Sequence, residues 1–427
     1  MTAMNKFDDY KYVSWFKEDK FGMFIHFGLY SMLGGKWRGQ TCRGIAEWIQ
    51  NSLDIPLEEY RKLADKFDPK DLDPTAICKL ARRAGMRYLC LTAKHHEGFA
   101  LWDSKVSSYN SVNSPCSRDI VREFSEACAR HDLKFCLYYS QAQDWEDPNG
   151  YMAYRDGNEE KDFDLYFQNK CLPQLRELLT SYGKISMIWF DTPMGMTEKH
   201  ARELRDFVKS LQESCLISGR IGHGMGDYRT TGDNMLPSIP SEKLWELPAT
   251  INQSWGYKEN DKNWRSSDQI IRELYSAVSL GGNYLLNIGP DGNGSVPQES
   301  VRVLEQVGDF IASNGASLYG TEIQGAYPYK QDDFILTGKK NHLYILLYDL
   351  NKTSRIELFN LQNKIRNVRL LLTGDTIDYH DSFDLEGHHY LLINLNDIDE
   401  KLKPVNFNNM LVIDIEHDGD RAEFEEF

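Results

Sequence analysis

A chain of 427 residues can bury a large core and has the length of two or three domains. With 41% hydrophobic and 26% charged residues it reads as a folded soluble protein. Its net charge of −15 excludes a nucleic acid or an anionic membrane as the main partner, because both demand a basic surface.

Nine Trp, 23 Tyr and 20 Phe bring aromatics to 12%, enough flat apolar surface to wall a sugar site. The N-terminal Met-Thr-Ala-Met-Asn-Lys has no apolar signal core, and no run of about 18 apolar residues marks a membrane span. Cysteines stand at Cys42, Cys78, Cys90, Cys116, Cys128, Cys136, Cys171 and Cys215, with no C-x-x-C pair and no spacing of a zinc site or disulfide framework. Reduced thiols in a cytoplasmic protein are the expectation; a periplasmic or secreted location follows if an export signal has been removed.

Along the chain, apolar strand-like runs alternate with helical periods. Phe21–His26 is the first such run. Asp73–Gly85 has Pro near its start, apolar residues at helical spacing and Gly at its end, and it leads into Arg87–His96. A second amphipathic helix, Asp119–His131, leads into Lys134–Ser140. Phe163–Tyr182 then precedes Lys184–Asp191, and Glu198–Ser214 precedes Cys215–Arg220. Asp268–Leu280 precedes Tyr284–Gly289, and helix Gln298–Ser313 follows. Two further strands are needed and none stands out between residues 240 and 265. Roughly eight such units in ~300 residues make an α/β fold, a (β/α)8-like barrel.

After Tyr319-Gly320 the texture changes to short alternating strands at Asp333–Thr337, His342–Tyr348, Arg355–Asn360, Val368–Leu372, His389–Asn394 and Met410–Ile415. The expected organisation is a catalytic barrel over residues 1–322 and a C-terminal all-β sandwich over 323–427, ending in a solvated acidic tail, Glu416–Glu426.

Several of these barrel strands end in polar residues, and such barrels assemble their active sites at the carboxyl ends of their strands. Lys184–Asp191 reads Lys-Ile-Ser-Met-Ile-Trp-Phe-Asp. A buried strand of this kind stays apolar to its end, so the acid at the tip needs a reason, and Asp191 is the candidate for the chemistry. His95 and His96 close another strand. Adjacent strand residues point to opposite faces, so both reach one pocket only where the strand has ended. Imidazoles donate and accept hydrogen bonds with little competing charge, which suits sugar hydroxyls. With His26 and Asp191 they also compose a metal ligand set, the competing reading, while a His pair packing a loop is the plain one. Glu47-Trp48 offers a carboxylate for hydroxyls and an indole plate for a pyranose ring, although a helix start looks the same.

Glycoside hydrolysis needs a second carboxyl with a raised pKa. The candidates are Asp227, Asp233, Glu242 and Glu246. Asp233 lies in a Gly-rich polar stretch, residues 226–234, that can reach over a pocket. Glu246, in Leu-Trp-Glu-Leu, has apolar neighbours that would raise its pKa, and it is narrowly preferred. Gly289-Pro290-Asp291-Gly292-Asn293-Gly294 has the look of half a calcium loop, but Arg302 stands where the bidentate Glu is required, so a tight loop is expected.

Taken together, the segments Trp15-Phe16…Phe21-Gly22-Met23-Phe24-Ile25-His26-Phe27-Gly28, Lys94-His95-His96-Glu97-Gly98-Phe99, Tyr138-Tyr139-Ser140 and Ile188-Trp189-Phe190-Asp191 resemble the α-L-fucosidases of glycoside hydrolase family 29. Ser254-Trp255-Gly256-Tyr257 and Gly281-Gly282-Asn283-Tyr284-Leu285-Leu286-Asn287-Ile288-Gly289-Pro290 continue the resemblance in the family's order. It implies a barrel backed by a β-sandwich and retaining hydrolysis of α-L-fucosides without a metal or other cofactor. Fucosylated oligosaccharides or glycoconjugates are the implied partners; oligomeric state is not legible. Asp191 would be the nucleophile. His26, Glu47, Trp48, His95, His96, Tyr139, Trp189 and Arg220 would surround the fucose, with Trp255 over its C5 methyl. The sequence departs from one common pattern: where many members carry a Thr-Pro-Glu type acid it reads Thr230-Thr231-Gly232-Asp233, so Glu246 and Asp233 both stay open as acid/base. A sugar-binding protein without activity is the remaining alternative, against which the retained carboxylates speak.

Overall fold

The computed structural model describes residues 12–152, 161–324, 334–348, 354–383, 385, 388–395 and 410–425. Eight parallel strands form its first sheet: β1 Phe21–Ile25, β2 Tyr88–Lys94, β3 Lys134–Tyr139, β4 Met187–Phe190, β5 Leu216–Ile217, β6 Arg229–Thr230, β7 Trp245–Thr250 and β8 Asn283–Ile288. Their order is β5-β4-β3-β2-β1-β8-β7-β6. The two ends of that row meet at a parallel bridge, Ser218 to Tyr228, and at Asp227 N–H, which donates to Ile217 O at 2.7 Å. The sheet is thereby closed into a barrel.

Helices start where the sequence supplies caps. Asp73 and Asp119 accept the backbone N–H groups of Ala76 and Arg122 at the starts of Pro74–Arg83 and Ile120–Arg130. Thr197 and Ser266 do the same at Glu198–Leu211 and Ser267–Ser279 through capping boxes. Phe163–Ser181 carries a π-helical stretch, Phe167–Cys171, in its middle. Among the described residues no α-helix separates β5 from β6 or β6 from β7. Of the two strands that the sequence left unplaced between residues 240 and 265, β7 falls in that span, whereas β6 lies ahead of it, inside the Gly-rich stretch expected to be a loop. β6 is two residues long, and β7 contains Pro248, which ordinarily argues against a central strand. The proline is tolerated because β6 pairs only with Trp245 and Glu246, and Pro248 faces the loop beyond, where its carbonyl accepts Asn234 N–H at 3.0 Å.

Alternation sorts the strand residues into two cores. Outward residues such as Leu89, Leu91, Leu137, Tyr139, Ile188 and Phe190 pack under the helices. Phe24, Tyr88, Cys90, Cys136, Tyr138, Met187, Trp189 and Leu285 fill the barrel interior.

The C-terminal strands are β9 Phe334–Lys339, β10 His342–Leu347, β11 Arg355–Phe359, β12 Ile365–Leu370, β13 Tyr379–Phe383, β14 His389–Asn394 and β15 Leu411–His417. They form two antiparallel sheets, β9-β10-β15-β12 and β11-β14-β13, around a shared apolar core that includes Leu343, Ile345, Leu358, Leu391 and Ile413. The other face of β10 and β15 (Tyr344, Leu346, Val412) joins the barrel's outer core. Asp333, the first residue expected in β9, lies outside the described residues. The tail differs from expectation. Glu416 and His417 belong to β15, Ala422 is buried, and Phe424 bridges to Leu361, so the acidic residues decorate a strand and a packed return.

Candidate active site

Residues from the carboxyl ends of seven strands and from the turn Ala46–Trp48 converge on a cavity of about 140 Å³. Its walls are Phe24, His26, Ile45, Glu47, Trp48, His95, Tyr138, Trp189, Asp191, Thr192, Arg220, Asp233 and Trp255.

Asp191 follows β4 directly. Its Oδ1 accepts from Arg220 Nη1 at 2.9 Å and Thr192 N at 2.9 Å, and its Oδ2 accepts from Tyr138 Oη at 3.0 Å. Its own N–H donates to Gln141 Oε1 at 2.8 Å. Burial by itself would raise the carboxyl pKa; the Arg220 guanidinium and the Tyr138 hydroxyl outweigh it and hold Asp191 below the usual carboxylate value. A carboxylate kept ionised in a closed pocket is equipped as a nucleophile.

Arg220 stands in the turn after β5 and forks between two carboxylates: its Nη1 meets Asp191 and its Nη2 meets Asp233 Oδ1. Its guanidinium lies 4.7 Å over the Trp189 ring.

β2 loses its register with β3 between Thr92 and Lys94, and it ends there. Both following imidazoles therefore turn to the site. His96 Nδ1 lies 2.7 Å from Ser140 Oγ, whose own proton goes to Gln143 O at 2.7 Å. The imidazole therefore donates from Nδ1, and Nε2, 3.6 Å from Asp191 Oδ2, is left as an acceptor. His26 is fixed in the same way by Asn287 Oδ1 at 2.7 Å, and Asn287 Nδ2 donates to Trp255 O at 2.7 Å. Burial lowers the His26 pKa to about 3 and the His96 pKa to about 4, so both are neutral. His95 stacks on Tyr138 with ring centroids 5.2 Å apart and a 6° angle. The side-chain atoms His95 Nδ1, His96 Nε2 and Glu47 Oε1 are buried without a protein partner, as expected of groups that bind a ligand.

Glu47 enters from the turn after the Gly-rich loop. Its Oε2 accepts Gly256 N–H at 2.9 Å, and burial pushes its pKa up to about 7. The approach requires Gly256, because a Cβ there would lie 2.7 Å from Tyr30 Cδ2. Trp255, beside it, packs its ring on His26 at 5.1 Å and Phe24 at 5.9 Å.

The structure therefore gathers Asp191, Asp233, His26, Glu47, Trp48, His95, His96, Trp189, Arg220 and Trp255 at one site. Two expected members are elsewhere. Tyr139 points outward and donates to Gln174 Oε1 at 2.8 Å under a helix, so the tyrosine of the pocket is Tyr138. Glu246 is the second residue of β7, near the amino end of the strand, and lies inside the barrel bonded to Tyr88, Trp189 and Tyr228 rather than in the cavity. The other two carboxylates are accounted for. Asp227 pairs with Arg205 and Lys209 at the barrel seam, and Glu242 lines a cleft at the amino ends of the strands. The Asp291 loop is tight, its carboxylate accepting Asn293 and Ser295 N–H. No group of His, Cys, Asp and Glu arranged to hold a metal ion occurs among the described residues, and no described helix is long and apolar enough to cross a membrane.

Sequence reasoning missed the supports. Lys94 is buried under the site, bonded to Asp144 Oδ2 at 2.7 Å and Tyr166 Oη at 2.8 Å. Glu97 is buried too, accepting Leu29 N–H at 2.9 Å and the Tyr60 hydroxyl. The signal for Glu97 was present: a charged residue follows two histidines in a buried run. Burial raises its pKa to about 7, its hydrogen bonds opposing. A carboxyl whose folded pKa lies above its unfolded one stabilises at low pH and loses that contribution as pH rises through the folded value. Glu97→Gln is therefore expected to gain stability relative to wild type between about pH 5 and pH 8, by on the order of 3 kcal/mol. Thermal unfolding at the two pH values checks this; a difference that stays constant contradicts it.

Comparison with known proteins points to one family. The family model described as Alpha-L-fucosidase matches residues 2–316. The plasma alpha-L-fucosidase of Rattus norvegicus is 31% identical over 330 residues, covering 72% of this chain and 70% of the rat protein. The crystal structure of alpha-L-fucosidase from Vibrio sp. strain EJY3 superposes with a TM-score of 0.90 at 33% identity, covering 97% of this chain and 74% of that one. A variant of AlfC from Lactobacillus casei, solved in complex with Fucα(1,6)GlcNAc, is 40% identical with a TM-score of 0.67, covering 72% of this chain and 100% of that one.

Proposed function

The chain belongs to the alpha-L-fucosidase family and is a glycoside hydrolase, and from that premise we propose that it works by double displacement with Asp191 as nucleophile and Asp233 as general acid/base. The observation that carries the reading is the shared Arg220, which holds both carboxylates at one pocket.

In the first step Asp191 attacks the anomeric carbon of an α-L-fucoside, the glycosidic C–O bond breaks, and the leaving oxygen takes a proton from the Asp233 carboxyl. In the second the same carboxylate takes a proton from water, which attacks the fucosyl ester and restores the α configuration. Asp233 suits both tasks by place: its side chain is 44% exposed at the cavity rim, where the aglycone leaves and water enters. To act as acid it must leave Arg220, and a sugar seated between the two carboxylates separates them. His95, His96 and Glu47 offer unpaired polar atoms of the kind that sugar hydroxyls need, and His26 lines the same cavity. Trp189 and Trp255 supply flat apolar faces as walls of the cavity, and Trp255 is the face proposed to cover the C5 methyl. Fucosylated oligosaccharides and glycoconjugates are the proposed substrates.

A second reading of the acid is favoured by one observation. Glu47 lines the same cavity, has an unpartnered Oε1 and a pKa near that of a working general acid. Asp233 is preferred because it faces solvent, whereas Glu47 is buried and tied to Gly256.

Proton NMR of the first-formed sugar tests the mechanism. Wild-type enzyme acting on an aryl α-L-fucoside is expected to release α-fucose before mutarotation; β-fucose as the first product would exclude double displacement.

A further inference from the structure

Glu246 lies one layer below the pocket, and its oxygens collect three donors: Tyr88 Oη at 2.7 Å, Trp189 Nε1 at 2.9 Å and Tyr228 Oη at 3.4 Å. A buried carboxyl carries a desolvation cost that an apolar residue in the barrel interior would not. Its place next to the site suggests what the acid does. The Trp189 indole that it holds is a wall of the cavity. Over one part of that indole lies the Arg220 guanidinium at 4.7 Å, and Tyr138 stacks on it at 5.8 Å with an 18° angle. Those two residues grip Asp191, Arg220 at Oδ1 and Tyr138 at Oδ2.

We propose that Glu246 is a positioning residue for fucoside hydrolysis: by fixing the Trp189 indole it sets the platform on which Arg220 and Tyr138 clamp Asp191. The inference rests on Asp191 being the nucleophile. Removing the acceptor frees the terminal torsion of the indole, which is intrinsically broad. The two groups that lie against its face then lose their reference, and the carboxylate drifts from the line of attack. Small displacements of this kind are expensive, since about 1 Å can cost about 10²-fold in rate.

The test is a double-mutant cycle on an aryl α-L-fucoside. Glu246→Leu removes the acceptor, and Trp189→Phe removes the indole N–H. Each is expected to lower kcat about tenfold or more, with the KM of Glu246→Leu moving less than about threefold. The double variant should fall no more than about threefold below the weaker single, because both break one contact. Glu246→Gln, whose amide oxygen accepts the same N–H, should recover most of the kcat lost in Glu246→Leu. Azide should restore neither single variant. Independent losses that multiply, a Glu246→Leu kcat within about twofold of wild type, or azide rescue of Glu246→Leu, which would make it the acid, each overturn the proposal. If Glu246→Leu does not fold, Tyr88→Phe removes a donor from the same carboxylate without touching the cavity; lowered kcat at constant KM supports the proposal, and unchanged kcat overturns it. The underlying reading fails separately, through an active Asp191→Ala.

Discussion

Asp191→Ala is expected to lower kcat/KM for an aryl α-L-fucoside by about 10³- to 10⁵-fold while leaving the fold intact. Loss of the nucleophile removes the covalent route altogether, and a good leaving group cannot compensate because the missing step is bond formation at the anomeric carbon. The variant carries a diagnostic of its own. Azide fits the space the carboxylate vacates and attacks in a single displacement, so the rescued product is β-fucosyl azide. Turnover within tenfold of wild type, or rescue that gives the α azide, contradicts a nucleophilic Asp191. The protein should also survive the change, since the carboxylate's partners Arg220, Tyr138 and Thr192 stand at the cavity, and Arg220 keeps Asp233.

Asp233→Ala should respond to the leaving group instead. A phenolate with a low pKa departs with little help, so formation of the fucosyl-enzyme remains fast on an activated aryl substrate; an alkyl or sugar aglycone needs the proton, and there the loss should reach about 10²- to 10⁴-fold. Breakdown of the intermediate lacks its base on every substrate. Azide needs no base, attacks the ester from the face the aglycone left, and should restore turnover as α-fucosyl azide. Glu47→Ala run beside it separates the two carboxyls. The expected outcome is a raised KM and no azide rescue, as for a group that holds hydroxyls; azide rescue of Glu47→Ala alone would move the acid there.

Asp191 was legible because a buried strand announces itself by its apolar run, and the acid at its tip breaks the pattern. The barrel was legible for the same reason wherever strand and helix alternate. Legibility fails where local pattern and tertiary setting part. Pro248 disguises β7, and only the shortness of its neighbour β6 makes it harmless. Tyr138 and Tyr139 are chemically the same residue, and strand phase alone decides which enters the barrel; counting in twos from Trp189, its partner in register, selects Tyr138. Glu246 shows the opposite case. Its apolar neighbours do raise its pKa to about 7, as the sequence suggested, but the burial that raises it also removes it from the cavity. A shifted carboxyl was correctly foreseen and its position along the strand was not. Asp233 is set in place by its bond to Arg220, from another loop, which no local spacing encodes.

The most direct measurement joins the two substitutions. In Asp233→Ala the aryl substrate still loads the enzyme and water cannot unload it, so the fucosyl-enzyme accumulates. Quenching in acid and mapping peptides by mass spectrometry locates the ester. A fucosyl group on the peptide and side chain of Asp191 is the predicted result; a fucosyl group on any other residue, or none while aryl alcohol is released in a burst, contradicts it.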